Sequence, residues 1–426
     1  MAGMAEGTKH SIRYNFIMNT LIQGSSWLVP FLVRPFVSRT LLKPGMGRVQ
    51  FSIGILYYFV LFATLGIPTY GIRECAQARK DPQRLQRSVR EILCINLVTG
   101  LIAYVLYFAY VFSPLGAEYR TLLLVISPAI ALNVINVDWL YKGLEDFRTI
   151  AVRNVIVKAV SAALILLLVR NASHEPVFAF LSIVSSYGVG LWNFAGAWGL
   201  LKRMGGAGEK RGETLRLHPA GHLRAILVFL GMSAATAVYT QLDIVMLGIL
   251  TEDGTVGIYD AAAGVKVLLV AAVSALGAVL LPRVSALLQE GRKEEFYRIS
   301  RKALFLVVGF GVCLMLAVIL CRKPIILLVS GPDFAGADAV LGILALTVPL
   351  IGYTNITGMQ MLVPLGRERT VLASEIAGAV CDFALNLLLI PRYGAAGAAV
   401  ATVIAEAVVA LVQTIGCRRE LRAALF

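Results

Sequence analysis

Apolar residues run in long stretches separated by short polar gaps, and about twelve of these stretches approach the roughly 20 residues a helix needs to cross a bilayer. They lie near residues 14–37, 49–70, 91–112, 119–141, 151–170, 176–200, 224–248, 257–282, 302–321, 336–362, 370–390 and 397–416. Of the 426 residues, 58% are hydrophobic and 15% charged, against about 25% charged in a soluble domain. The expected fold is therefore all-α: a polytopic membrane protein of about twelve transmembrane helices. So many spans use up the length and leave no room for a soluble catalytic domain.

The gaps differ in charge. The even ones are basic: Arg73 to Arg90, Lys142 to Arg153, Lys202 to Arg224, Arg283 to Lys302, and Arg367-Glu368-Arg369. Odd ones such as Ser113-Pro114-Leu115-Gly116 and Thr251-Glu252-Asp253-Gly254 are short and carry few cations. Short loops rich in Lys and Arg stay on the cytoplasmic side, so both termini are expected there, in the cell inner membrane. Most of the net charge of +14 is accounted for in this way and by contact with anionic lipid headgroups, without nucleic acid. The segment Arg79 to Arg90 is expected to be a basic surface helix. Met1–His10 is polar with no cleavage pattern after it, and the first apolar stretch is expected to stay as a spanning helix. The six cysteines show no metal spacing and no expected disulfide. His218 and His222 have ligand-like spacing but sit in a basic, Gly-rich stretch, so no metal or other cofactor is expected.

The longest basic gap divides the chain. It predicts one six-helix lobe over 1–201, a linker over 202–223 and a second six-helix lobe over 224–426. Short matches about 210–220 residues apart support a repeat: Arg79-Lys80-Asp81 with Arg292-Lys293-Glu294, and Arg148-Thr149-Ile150 with Arg369-Thr370-Val371. Parallel repeats of this kind place a substrate site near the midplane.

Several segments carry a family resemblance. They are Pro35-Phe36-Val37-Ser38-Arg39, Leu65-Gly66-Ile67-Pro68-Thr69-Tyr70-Gly71-Ile72-Arg73-Glu74 and Asp138-Trp139-Leu140-Tyr141-Lys142-Gly143-Leu144-Glu145. In the second half they are Tyr239 to Asp243, Leu281-Pro282-Arg283-Val284-Ser285, Pro364 to Glu368 and Leu388 to Gly394. In these the chain resembles the lipid-linked oligosaccharide flippases of the multidrug/oligosaccharidyl-lipid/polysaccharide transporter superfamily. The resemblance implies two lobes around a central cavity and outward movement of an undecaprenyl-diphosphate-linked oligosaccharide by alternating access. It also implies a place beside polysaccharide polymerase and assembly proteins.

Charges within the spans point to candidate sites. A basic residue at a helix centre costs roughly 2.5–3.5 kcal/mol, so it faces a cavity or a partner. Lys158, Lys266 and Arg34 lie inside apolar stretches. They are the candidate diphosphate-binding residues, because ammonium and guanidinium groups give charge-assisted hydrogen bonds to phosphate oxygens. The other reading is that each cation pairs with an intramembrane acid and only holds helices together. The acids are Asp138, Asp243, Glu375, Asp382 and Glu406. Asp382 and Glu406 lead as carriers of a coupling proton or sodium, with Glu375 and Asp243 in the same set; Glu375, Asp382 and Asn386 are spaced to share a helix face.

Two other functions compete. A multidrug or organic-cation antiporter of the same superfamily would favour an acidic cavity. Polyprenyl-phosphate glycosyltransferases and polymerases, as families, usually present catalytic acids or a large basic loop on the outer side; the outer loops here are short, with no paired acids beyond Glu252-Asp253. No Walker or dinucleotide fingerprint occurs, so the chain is not expected to be an enzyme.

Overall fold

The computed structural model describes residues 12–205, 219–278, 284, 286–288 and 290–418. His218 and the centre of the expected linker lie outside the described residues, as do Met1–His10, residues 281–283 and 285 of the Leu281–Ser285 segment, and the tail from Arg419. Among the described residues every regular element is helical. In chain order these are α1 (Ile12–Thr64), α2 (Ile67–Ala78), α3 (Pro82–Phe112), α4 (Arg120–Ile126), α5 (Pro128–Val134), α6 (Asp138–Gly143) and α7 (Phe147–Leu168). Then come α8 (Glu175–Tyr187), α9 (Val189–Gly205), α10 (Ala220–Leu250), α11 (Asp253–Ala278) and α12 (Lys293–Val329). The last are α13 (Ala337–Leu344), α14 (Thr347–Thr354), a π-helical stretch (Asn355–Leu362) and α15 (Glu368–Gly416).

Among the described residues, nine helical stretches are long and apolar enough to cross a membrane. Two of them are each a pair of rods joined at a break. In α1 the break is Leu42, at φ 61° and ψ 175°. Pro44, two residues on, cannot donate a helical hydrogen bond, and the free N–H of Lys43 donates instead to Asp333 at 2.7 Å. In α15 the break is Gly394, at φ 52° and ψ −131°, a region that glycine reaches without a Cβ clash. The chain is thus an all-α polytopic membrane protein with between nine and twelve crossings.

Burial shows which solvent these helices meet. The most apolar of the nine windows, in Lys293–Val329, is only 22% buried inside the protein. A helix in water buries its apolar face; here Phe305, Leu306, Leu320 and Leu328 stand outward, as lipid contact requires.

Two expectations change at this level. The segment Arg79 to Arg90 is not a separate surface helix. Asp81 caps α3, accepting from the N–H groups of Gln83 and Arg84 at 3.1 Å, and the helix runs unbroken into the third span. The helix expected over 119–141 is three short pieces, with Pro128 in the first turn of the second.

Two compact units divide the chain, residues 1–33 with 55–234 and residues 34–54 with 235–426. The first is built on a buried cluster that includes Ile67, Tyr70, Leu85, Ile92, Trp139 and Ile150. The second has its own cluster around Val273, Phe296, Val307, Val348 and Met361. Residues 34–54 join the second unit through backbone contact. A Cβ on Gly47 would lie 1.8 Å from the carbonyl oxygen of Asp253, and one on Gly257 would lie 2.1 Å from that of Lys43. Small residues are what let membrane helices approach so closely.

Candidate functional site

In the first unit, α7 turns Asn154, Lys158, Ser161 and Ile165 inward at helical spacing. Val155, Ile156, Val160 and Leu167 stand outward. Lys158 therefore faces protein and not lipid. It is 7% exposed, and its Nζ donates to Ser26 Oγ of α1 at 2.7 Å. Among the described residues no carboxylate lies within salt-bridge distance of it; Asp138 acts on its charge from farther away.

Asp138 opens α6. Its carboxylate accepts a hydrogen bond from the Asn193 side-chain amide, and its own N–H donates to Asn136 Oδ1 at 3.3 Å. Arg153 donates to Asn193 Oδ1 at 3.0 Å and to Tyr141 Oη at 3.1 Å. Its guanidinium lies over the rings of Tyr141 and Trp192. Asn193 thus links an acid and a base from different helices, and neither it nor Arg153 stood out in the sequence. His222, whose spacing from His218 is ligand-like, takes part in a hydrogen-bonded chain with Tyr70 and with Glu91, the latter at 2.8 Å.

In the second unit the polar centre is Asp243 of α10. Asn386 donates to it at 2.7 Å and Thr402 at 2.8 Å, and Tyr259 donates a third hydrogen bond. The Asn386 amide also donates to Asp382 at 3.2 Å, so one amide serves two carboxylates. Lys266 and Glu406 both act electrostatically on Asp382. Lys266 is partly buried, and among the described residues it has no ion pair. Among the described residues, Asp382 Oδ1 and Asn386 Oδ1 are buried acceptors without a donor. A carboxylate oxygen such as that of Asp382, with a second carboxylate beside it, is chemically able to take up a proton, and an amide oxygen such as that of Asn386 can ligate a cation but not hold a proton. The expected face through Asp382 and Asn386 exists, but Ser374 and Gly378 stand on its buried row; Glu375 lies one position away and is partly buried. Glu406 is buried. Tyr259 and Thr402 were missed, since a neutral hydroxyl in an apolar run carries no signal of its own.

Arg34 forms an ion pair with Asp260 of α11, the side chains being 12% and 9% exposed. Gly264, one turn beyond Asp260, makes room: a Cβ there would lie 2.1 Å from the guanidinium. Asp260, early in its apolar stretch, does not stand out in the sequence beside the five intramembrane acids. The clue available was Arg34 itself, a cation between Pro30 and Pro35 with no acid in its own segment. Among the described residues no group of three His, Cys, Asp or Glu side chains is placed to hold a metal.

The profile of a family described as "Polysaccharide biosynthesis protein" matches residues 12–288, and one described as MatE matches residues 229–388. A protein from Escherichia coli (strain K12) named for O-antigen transport is 23% identical over 406 residues, covering 94% of this chain and 95% of its own. The capsular polysaccharide biosynthesis protein CapF of Staphylococcus aureus is 23% identical over 399 residues, covering 93% and 96%. Among solved structures, the lipid II flippase MurJ in an inward closed conformation superposes with a TM-score of 0.73 at 13% identity, over 96% of this chain and 90% of that one. An inward-facing multidrug resistance MATE family transporter of the MOP superfamily gives 0.66 at 14% identity, over 100% and 98%. At these identities the likeness to the solved structures is one of fold.

Proposed function

The chain belongs to the polysaccharide biosynthesis protein family, and from that membership we propose that it is a flippase for lipid-linked oligosaccharide. It carries an undecaprenyl-diphosphate-linked repeat unit from the cytoplasmic to the outer leaflet of the inner membrane by alternating access. The two six-helix lobes, 1–201 and 224–426 joined by 202–223, belong to this proposal, as do the cytoplasmic termini and a polymerase that receives the product.

One observation carries the reading. Lys158 and Lys266 sit in spanning helices, and among the described residues neither has a carboxylate within salt-bridge distance. A diphosphate cannot cross hydrocarbon without compensation for its lost hydration, and an ammonium not already neutralised supplies it. Arg34 enters the path only as a paired cation: a phosphate reaching it has to displace Asp260. Asp382, Glu406, Glu375 and Asp243 are proposed to carry the coupling proton or sodium, with Asp243 and Asp382 at the centre because one amide joins them.

A second reading, export of organic cations, is favoured by that same acidic pair and by the MatE match over it. Deleting the gene separates the two. A flippase deletion accumulates lipid-linked repeat units on the cytoplasmic leaflet, and the wild-type gene, but not Lys158→Ala with Lys266→Ala, clears them. Unchanged surface polysaccharide together with raised sensitivity to cationic drugs would favour the antiporter.

A further inference from the structure

Arg153 of α7 is half-buried between α6 and α9, and its guanidinium is held rigidly. Nη1 spends both of its protons, on Tyr141 Oη at 3.1 Å and on Asn193 Oδ1 at 3.0 Å. Each acceptor is oriented by its own donation. The Tyr141 hydroxyl donates to the Asn193 carbonyl at 3.0 Å, and the Asn193 amide donates to Asp138. The guanidinium carbon lies 5.2 Å from the centre of the Tyr141 ring and 5.9 Å from that of Trp192. Gly196 makes room for the fork, since a Cβ there would lie 2.8 Å from Nη2.

The other edge of the fork is free. Among the described residues Nε and Nη2 have no hydrogen-bond partner, and neither is sealed inside the protein. No carboxylate among them lies within ion-pair distance of Arg153. The parallel N–H groups of such an edge match two oxygens of one anion, phosphate or carboxylate. The surroundings choose between these. Trp192 is 46% exposed, and Leu191 and Trp198 of the same helix also stand outward. Arg153 lies about 9 Å of helix from Phe147, where α7 begins, and a helical side chain leans back toward the N-terminus. That end of α7 adjoins the basic gap Lys142 to Arg153, which the Lys/Arg rule puts on the cytoplasmic side. Tryptophan and tyrosine gather at headgroup level, and the cytoplasmic leaflet is the one that carries anionic lipid against basic segments.

We propose that the Nε–Nη2 edge of Arg153 binds the phosphate of an anionic phospholipid of the cytoplasmic leaflet, with the acyl chains lying along Trp192 and Leu191. The site goes beyond the flippase reading and does not depend on what the chain carries. Tyr141, Asn193 and Trp192 are positioning residues, which hold the fork flat and its free edge outward.

The test is native mass spectrometry of the purified full-length protein, released from a non-ionic detergent after titration with phosphatidylglycerol. Wild-type protein is expected to retain one phosphatidylglycerol more tightly than any that follow. Arg153→Gln should weaken that first binding about tenfold or more, by removing two charge-assisted hydrogen bonds. Arg153→Lys keeps the charge without the fork and should still weaken it several-fold. Trp192→Leu, at an exposed position, should also weaken it several-fold by freeing the guanidinium, and it decides the matter if the Arg153 variants do not fold. Arg148→Gln removes an exposed cation of the same helix and should change binding by about twofold or less, as a screened charge without contact does. Size-exclusion chromatography and circular dichroism confirm that each variant is folded. Equal losses in Arg148→Gln and Arg153→Gln would make the attraction a diffuse one and overturn the proposal. So would phosphatidylcholine held as tightly as phosphatidylglycerol, equimolar inorganic phosphate displacing the lipid, or binding undiminished in every folded Arg153 and Trp192 variant.

Discussion

Among the described residues the ammonium of Lys158 is held by a hydroxyl and by no carboxylate, and the proposal gives its charge to the diphosphate. Lys158→Met keeps most of the side-chain length and removes the charge. It is expected to lower export of repeat units about tenfold or more, the scale of one charge-assisted hydrogen bond, at unchanged membrane levels by immunoblot. Full export would take the residue out of the path. Arg34 is the opposite case, since its charge is spent on Asp260. Asp260→Asn leaves a buried cation uncompensated and is expected to cost about 3–5 kcal/mol, whereas replacing both partners with apolar residues recovers most of it. Thermal unfolding of the purified variants reads the difference; equal loss in the single and double variants would contradict it. At this scale the sequence made the cations conspicuous, because charge in an apolar run is rare. It hid Asn193, Tyr259 and Thr402, whose meaning depends on partners far away in the chain.

Helices were legible as spans because apolar length sets them, but their breaks were not. Nothing at Leu42 marks it as a hinge except Pro44 two residues later and the distant Asp333 that takes the Lys43 N–H. The supposed surface helix merged into α3 because a capping aspartate and a run of helix formers outweigh a change from polar to apolar residues. The family segments have clear local duties. Arg39 donates to the Leu327 and Leu328 carbonyls at the end of α12 at 2.8 and 2.9 Å. Gly71 and Gly143 let α2 and α6 meet, through Trp139 and Cys75. Gly47→Val puts a side chain into the Asp253 carbonyl and is expected to cost about 1–3 kcal/mol or to displace the α1 rod from α11. Gly394→Ala should also destabilise, since alanine pays for φ 52° and glycine does not. Chemical denaturation in detergent checks both, and wild-type midpoints would show these helix contacts to be slack.

In the whole molecule, the apolar stretches announced a helical membrane protein, and the outward-facing leucines of α12 agree with that. Less legible was the allotment of residues 34–54 to the second compact unit, which depends on glycine contacts between segments about two hundred residues apart. The activity proposed from the family match is passage of a diphosphate-bearing lipid across the bilayer, with the two lysines as its proposed binding groups. The direct measurement is made on the purified chain in proteoliposomes, with a fluorescent polyprenyl-diphosphate oligosaccharide and a membrane-impermeant quencher. Wild-type protein should make the inner-leaflet pool quenchable, the Lys158→Ala with Lys266→Ala variant should not, and an imposed proton or sodium gradient should change the rate. Equal quenching with wild type, variant and protein-free vesicles would contradict the flippase.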